Sequence, residues 1–387
     1  MTVMDRYILR HFAGTFFICF CSLIGLWVVI DVFSNLDDFL NYAEGRGNVL
    51  GIMGQYYACR VLGYFNLIGP ILTLISAMFT VAWLRRYNEL TSLSAAGVRN
   101  ARVVAPIVVA AIVISLVSAV SRELVIPNFR YQLSHKVQDL SGAAKRELRP
   151  RYDHETDVRI GGAGTFADAQ RIHEPSFILP ESLDNYGRRL LAAEAYYKPP
   201  EKGRPGGYLL EGVREPKRLS EKPSLPLARS VAGSSGVDPP PIIITPRDAL
   251  WLDDDQVFVV SNVKFDQLED SAVWRQYASI GELIDGLHNP SLDYGADVRV
   301  EIHARFVRPL LDVALLFLGL PLILARGNPN MYLAAGFALA IVAGFFLLVI
   351  ACHWMGRGNL VSPALAAWLP ALIVVPMAVL FSEPLRQ

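Results

Sequence analysis

The sequence is poor in cysteine and in charged residues, and neither sign of charge is in excess. Its four cysteines lie in or beside apolar stretches, so neither a disulfide framework nor a paired-cysteine metal site is expected. Lys and Arg total 36, as do Asp and Glu, and this balance disfavours a nucleic-acid-binding protein. Only 19% of the residues are charged and 52% are apolar, which argues against an ordinary soluble enzyme and against a disordered chain.

The sequence also lacks the motifs of common catalytic sites. It contains no GxSxG nucleophile elbow, no HExxH zinc motif and no GxxxxGKS or GxxxxGKT phosphate loop. The glycine-rich stretch 161–164 lies between predicted strands and is followed by neither a lysine nor a helix, so a strand turn is the favoured interpretation. His154 and His173 have no partners at metal-ligand spacing. We therefore expect no catalytic residue, no metal and no cofactor.

The apolar residues are concentrated in blocks long enough to cross a membrane, which takes about 20 residues of helix. Five blocks of 19 to 24 residues contain no charged residue: 12–30, 61–84, 103–121, 331–352 and 360–382. Five such runs favour membrane helices over buried helices of a soluble protein. A sixth block, 313–325, reaches spanning length only if its helix begins near Phe306. We therefore predict a polytopic α-helical membrane protein with six transmembrane helices, arranged as three plus three.

Arginines in the short loops predict the orientation, because cytoplasmic loops are enriched in Lys and Arg. With a cytoplasmic N-terminus, the outer short loops carry only Arg46, Arg60 and Arg357. The inner segments then carry eight arginines: Arg6, Arg10, Arg85, Arg86, Arg99, Arg102, Arg326 and Arg386. We expect both termini to be cytoplasmic and the long middle segment to lie outside, in the periplasm.

The middle segment has the composition of a β-domain. Short β-branched and aromatic runs between Gly, Pro and Asp predict five strands: 157–166, 190–197, 207–213, 241–245 and 256–265. Strands at this spacing suggest a sandwich or jelly roll. Ser279 and Glu282 form a capping pattern before a predicted helix at 278–287.

These observations predict three regions. Residues 1–126 hold transmembrane helices 1–3, and residues 127–302 form an inserted external all-β jelly-roll domain. A Pro-rich insertion at about 198–240 interrupts that domain. Residues 303–387 hold transmembrane helices 4–6.

The cytoplasmic loop between helices two and three predicts a short amphipathic helix at about 86–98. Asn88 can cap it, Leu90 and Leu93 stand at helical spacing, and Gly97 suits a left-handed stop. Such a helix can dock in the groove of a partner protein, or it can rest on lipid headgroups. The sequence pattern leaves both interpretations open.

Three charged residues fall at membrane depth, where each costs about 2.5–3.5 kcal/mol on insertion scales. Asp31 ends helix one, whereas Arg308 and Asp312 are four residues apart on helix four and could pair. Asp31 and Arg308 can also reach interfacial water. The shorter and deeper Asp312 is the strongest functional candidate of the three.

At these residues the sequence resembles the lipopolysaccharide export permease family LptF/LptG, also called YjgP/YjgQ. Five segments carry the resemblance along nearly the whole chain: Met4-Asp5-Arg6-Tyr7-Ile8-Leu9-Arg10, Asn88-Glu89-Leu90 through Ala95-Ala96-Gly97, Glu123-Leu124-Val125-Ile126-Pro127, Glu301 through Leu310 with its His303-Ala304-Arg305, and Trp368-Leu369-Pro370. Together, in this order and on a plan of three helices, a domain and three helices, they are specific.

The resemblance implies a permease subunit of an ABC-type exporter, without catalytic residues of its own. It implies a paralogous or identical second permease subunit, a cytoplasmic LptB-like ATPase, and LptC-like and LptA-like periplasmic proteins that receive lipopolysaccharide or a related glycolipid from the inner membrane. Glu89 would be the polar anchor to the ATPase. The implied coupling residues are Arg86, Glu89, Leu90, Leu93 and Gly97.

The substrate would enter laterally between helix one of one subunit and helix five of the other. Candidates for its path are Ile30, Asp31, Phe33, Arg46, Arg60, Arg305, Arg308, Asp312 and Phe345. The acidic Asp31, Asp37 and Asp38 at the outer end of helix one are unexpected beside an anionic substrate. Two other hypotheses stay open: a membrane scaffold or sensor with an external ligand-binding β-domain, and a lipid-modifying membrane enzyme that uses Asp312 and Arg308.

Overall fold

The computed structural model describes residues 2–44, 47–134, 137–139, 145–167, 169–180, 187–201, 204–217, 221–226, 241–269, 271–324 and 331–382. The chain divides into two compact units. The helical unit comprises Met1–Leu133 and Gly295–Gln387, and the β-domain comprises Ser134–Tyr294.

The helices of the described residues, in chain order, are α1 (Val3–Ser34), α2 (Leu36–Ala43), α3 (Val49–Arg86), α4 (Glu89–Ala95), α5 (Asn100–Val120), α6 (Arg130–Ser134), α7 (Phe265–Glu269), α8 (Ser271–Tyr277), α9 (Ile280–His288), α10 (Gly295–Leu324), α11 (Met331–Arg357) and α12 (Pro363–Phe381). A π-helical turn, Ser121–Val125, and a 3₁₀ turn, Ile126–Phe129, continue α5. A further 3₁₀ turn spans Val137–Asp139.

Five helical segments of the described residues are long and apolar enough to cross a membrane: Val3–Ser34, Val49–Arg86, Asn100–Phe129, Leu339–Arg357 and Pro363–Phe381. They coincide with the five charge-free blocks of the sequence, so the chain is a multi-pass membrane protein. α10 is not among them. Its N-terminal part carries several charged residues. It also begins at Gly295, well before the start that we expected near Phe306.

α10 packs against four other helices of the helical unit, α3, α5, α11 and α12. Leu315 belongs to one buried apolar cluster with Leu74 of α3, Ile107 of α5 and Val374 of α12. A side chain at Gly319 would overlap Leu74, so the missing Cβ allows α3 and α10 to approach closely. By contrast, α1 lies on the periphery. Of its described residues 13–34, only Ile24 is buried.

The β-domain is built on an antiparallel sheet. Its strands among the described residues are β1 (Arg151–Asp153), β2 (Val158–Ile160), β3 (Gly162–Phe166), β4 (Arg171–Ile178), β5 (Arg189–Leu191), β6 (Glu194–Lys198), β7 (Gly207–Glu211), β8 (Leu225–Pro226), β9 (Pro241–Ile244) and β10 (Val257–Val260). The strand order is β1-β2-β4-β6-β7-β10-β9-β8, with β3 and β5 also paired to β4.

β4 turns the corner of this sheet. Residues 171–175 pair with β3 or β6, whereas residues 176–178 pair with β5, and Ile178 also pairs with β2. Glu174 has φ +45° at the point where the partners change, immediately before Pro175. A strand that changes partners in this way bends the sheet around a core.

Several predicted strand boundaries were wrong. The stretch 157–166 is two strands separated at Gly161, and 190–197 is also two strands. The last predicted strand ends at Val260, since Phe265 already begins α7. β4 was missed, because Pro175 and the charged Arg171 and Glu174 interrupt its apolar pattern. The capping box of Ser279 and Glu282 before α9 is confirmed.

The predicted insertion at about 198–240 contains a core strand of the domain. In β7, Tyr208 and Leu210 are fully buried. The Tyr208 hydroxyl donates a hydrogen bond of 2.8 Å to the Val263 carbonyl, and burial raises the pKa of this phenol well above its usual value. The short strand β8 also lies in this stretch, whereas residues 227–240 lie outside the described part of the chain.

Candidate functional site

A polar cluster joins α3, α5 and α10 inside the helical unit, and it begins at Pro70. Proline has no N–H, so the carbonyl of Asn66, four residues earlier, loses its helical donor. The guanidinium of Arg308 on α10 donates to this carbonyl. The Asn66 side chain accepts a hydrogen bond of 2.8 Å from the Ser118 hydroxyl of α5 and donates one of 3.1 Å to the Leu62 carbonyl. Arg308 therefore satisfies a backbone group that the proline exposes.

Asp312 lies one turn further along α10 and accepts a hydrogen bond of 2.9 Å from the Ser115 hydroxyl. The sequence left a pairing of Arg308 and Asp312 open, and in the structure each has a different hydrogen-bond partner. Beside Asp312 is a small cavity of about 10 Å³, room for roughly one water molecule. Its lining is Gly69, Pro70, Thr73, Ala111, Ile114, Ser115, Ser118 and Asp312.

A second charged cluster joins the end of α5 to the start of α10. Arg305 bonds to Glu123 at 3.2 Å and to Glu301 at 3.3 Å, and its side chain is 2% exposed. Arg122 bonds to Glu301 at 2.6 Å. Arg122 and Glu123 both lie in the π-helical turn that follows α5, a feature that is frequent at functional positions. Arg305 is thus held by two carboxylates rather than directed towards an open path.

Asp31 and Arg60 are also engaged by neighbouring side chains. The Tyr57 hydroxyl of α3 donates a hydrogen bond of 2.8 Å to the Asp31 carboxylate of α1. The Arg60 guanidinium lies 4.4 Å above the centre of the Tyr56 ring, in cation–π geometry. The unexpected acidic residue at this end of α1 therefore connects α1 to α3. Arg46 lies outside the described residues.

Two of the apolar candidates for the substrate path are on the surface, and the third is not. On α1, Ile30 is 58% exposed and Phe33 is 76% exposed. They belong to the part of α1 that the rest of the helical unit leaves uncovered. Phe345 of α11 is 7% exposed and belongs to the buried apolar cluster of the unit.

The predicted cytoplasmic helix is present as α4, but it is shorter than 86–98. Asn88 precedes it with φ 61° and makes no side-chain cap, contrary to the expected capping role. The predicted stop at Gly97 is confirmed, with φ 81°. The Gly97 N–H donates to Ser94 O and the Val98 N–H to Leu93 O, both at 3.0 Å, which is a Schellman motif.

The leucines of α4 face the protein and not the solvent. Leu90 is buried in the same apolar cluster as Ile8 and Val103, and Leu93 is partly buried against that cluster. The exposed residues of the segment 86–98 are mostly small or polar, together with Arg86 and the aromatic Tyr87: Arg86, Tyr87, Asn88, Thr91, Ser92, Ser94, Ala95, Ala96 and Gly97. Leu90 and Leu93 therefore fix the helix to the helical unit, and other residues are available to a partner.

Glu89, at the start of α4, is half-buried and accepts hydrogen bonds from the Tyr7 hydroxyl of α1. The distances from the hydroxyl to its two carboxylate oxygens are 2.9 and 3.0 Å. No local sequence pattern identifies Tyr7, because it lies 82 positions from Glu89 in the chain. Asn66 was not predicted either, although a proline always leaves the carbonyl four residues before it without its helical donor, and Pro70 therefore points to Asn66.

The model of the family described as "Lipopolysaccharide export system permease LptF/LptG" matches residues 6–160 and 225–383 of the chain. The two matched stretches include the membrane-spanning helices, α4 and α10. Residues 161–224, with strands β3 to β7, lie between them. A search among curated proteins finds no match to the sequence.

The Asn66 carbonyl gives a double-mutant test of the polar cluster. We expect Arg308→Met to destabilise the full chain by about 1–3 kcal/mol, because it leaves a buried carbonyl without a donor. In a Pro70→Ala background the new N–H can bond to Asn66, so the same substitution should cost less. The measurement is thermal unfolding in detergent.

Pro106→Ala is the matched control, because it removes a proline from α5 without supplying a donor to Asn66. Arg308→Met should be as costly in that background as in the wild type. An equal loss in the Pro70→Ala background would contradict this role of Arg308.

Proposed function

The chain belongs to the lipopolysaccharide export permease family LptF/LptG, and from this premise we propose that it is the permease subunit of an ABC-type exporter. In this role it extracts lipopolysaccharide, or a related glycolipid, from the inner membrane and passes it to a periplasmic bridge towards the outer membrane. The observation that carries the proposal is the family match across both halves of the helical unit. The family makes the chain a transporter component and not itself a catalytic enzyme.

We propose that α10 is the sixth membrane helix. Its charged residues would be costly in hydrocarbon if they had no partners. Arg305, Arg308 and Asp312 each have partners on other helices, and this lowers the cost of placing α10 in the membrane. In this arrangement both termini are cytoplasmic, and the β-domain is a periplasmic jelly roll that delivers lipid to LptC-like and LptA-like proteins.

We propose that ATP hydrolysis is supplied by an LptB-like subunit that binds α4, and that the chain pairs with a second permease subunit. Leu90 and Leu93 anchor α4 to the helical unit, so motion of the helix is passed to its core. The exposed Thr91, Ala95 and Ala96 are small enough to let a groove approach the helix backbone closely. Among the residues that the structure describes, Tyr7 gives the Glu89 carboxylate one donor proton, and a carboxylate has room for more.

We propose that the substrate path begins at the uncovered surface of α1. A glycolipid has acyl tails, and an exposed apolar helix face inside a bilayer suits them. Ile30 and Phe33 lie on that surface. Arg60, Arg305 and Arg308 each already contact a group of the permease, so their first role in this account is structural.

Reversing the charge of Glu89 tests the coupling role of α4. We expect Glu89→Lys to abolish co-purification of the ATPase while the chain still inserts into the membrane, because an acceptor for a cationic partner becomes a cation. The control is Glu44→Lys, the same change at an exposed position beyond the far end of α1. ATPase capture by Glu89→Lys at the wild-type level would remove the coupling claim.

Photo-crosslinking in intact cells tests the substrate path. A photoreactive residue at Ile30 or Phe33 should capture lipopolysaccharide, and the same residue at Phe345 should capture much less, because that side chain is buried. The captured lipid is identified by mass spectrometry. Equal capture at all three positions would contradict a path along α1, and capture of bulk phospholipid alone would favour a scaffold.

A further inference from the structure

The Tyr7–Glu89 hydrogen bond joins the helix that carries the exposed lipid-facing surface to the helix proposed to bind the ATPase. We propose that Tyr7 is a positioning residue: it holds the Glu89 carboxylate for the ATPase and passes the movement of α4 to α1. This inference rests on the proposed function. It names the contact through which movement of the ATPase reaches α1, the helix proposed to contact the lipid.

The Glu89 carboxylate can bind Tyr7 and a side chain of the ATPase at the same time. The Tyr7 hydroxyl lies 2.9 and 3.0 Å from the two oxygens and has a single proton to donate. A carboxylate can accept about four hydrogen bonds, so a cationic side chain of the ATPase can bind Glu89 without displacing Tyr7. The carboxylate would then be held from both sides, by α1 and by the ATPase.

The cytoplasmic end of α1 is fixed at several points. Asp5 forms an ion pair of 3.0 Å with Arg102 of α5. Ile8 and Phe12 are buried in the same apolar cluster as Leu90 of α4. Beyond residue 12, only Ile24 is buried among the described residues of this helix. The remainder of α1 contacts α3 at Phe20, Trp27 and Asp31, so a displacement applied at the cytoplasmic end is passed along α1 to these contacts.

α4 is set apart from its neighbours by backbone geometry. Asn88 and Gly97, one on each side, have φ values of 61° and 81°, in the left-handed region. The backbone therefore changes direction at both ends of α4, and the side-chain contacts of Leu90 and Glu89 connect it to α1. Of these contacts, the Tyr7–Glu89 bond is directional, and a single oxygen atom can be removed to break it.

Tyr7→Phe removes that bond and keeps the aromatic packing, since the ring stacks edge-on against His11 at 4.6 Å. In proteoliposomes with the full chain, its partner permease and the ATPase, we expect ATPase capture to stay within about twofold of wild type. Lipopolysaccharide released per ATP hydrolysed should fall about threefold or more, because a hydrogen bond to a charged group is lost.

Two control variants isolate the bond. Tyr152→Phe removes another tyrosine hydroxyl that donates to a carboxylate, that of Asp157 at 2.9 Å, but in the β-domain, and it should leave the release ratio unchanged. Asp5→Asn weakens the ion pair at the first turn of α1 and leaves Glu89 unchanged. It should lower the thermal stability of the chain and change the release ratio little.

Epistasis distinguishes a positioning role from general damage. If Tyr7 acts through Glu89, the double variant Tyr7→Phe/Glu89→Ala should have the same release ratio as Glu89→Ala alone, because alanine removes the acceptor of the Tyr7 hydroxyl. A multiplicative loss in the double variant, or a wild-type ratio for Tyr7→Phe, would overturn the inference and leave the proposed function standing. A wild-type chain that captures no ATPase overturns the proposed function, and this inference with it.

Discussion

The helical unit depends on one requirement: polar groups buried in a membrane must find their partners inside the protein. Pro70 deprives the Asn66 carbonyl of its helical donor, and Arg308 of α10 supplies another. The Asn66 side chain then binds Ser118 of α5. The hydrogen bonds around this proline thereby join α3, α5 and α10, although the proline on its own would weaken α3. The same cluster gives Arg308 a reason to lie at membrane depth without any contact to substrate.

Charges in this unit therefore hold helices together. Arg305 is enclosed by Glu123 and Glu301, and Asp31 accepts the Tyr57 hydroxyl. The face of α1 that the rest of the helical unit leaves uncovered is the surface at which we propose that the lipid enters. That helix is held most firmly near its cytoplasmic end, close to α4. In the proposed exporter, whose ATP is hydrolysed by a separate subunit, this arrangement connects the helix that binds the ATPase to the helix that contacts the lipid.

The sequence predicted the five charge-free membrane helices, because a helix that crosses the hydrocarbon needs about 20 residues and charged side chains are costly there. It placed the start of α10 near Phe306 and not at Gly295, since the partners of the charged residues in this part of the helix become visible only in three dimensions. The residues around Gly97 are enough to predict where α4 ends, whereas they do not show that Leu90 faces the interior of the helical unit. β4 was missed because Pro175 marks a corner of the sheet and not its end. Contacts such as Tyr7 with Glu89 become visible only in three dimensions.

The central claim is that this chain moves lipopolysaccharide with energy supplied by a separate ATPase. The most direct measurement is the transfer of labelled lipopolysaccharide out of proteoliposomes that contain the chain, its partner permease and the ATPase, with and without ATP. The account predicts release that requires ATP and stops when this chain is omitted. Release that continues without the chain, or an absence of ATP-dependent release from the full assembly, would contradict it.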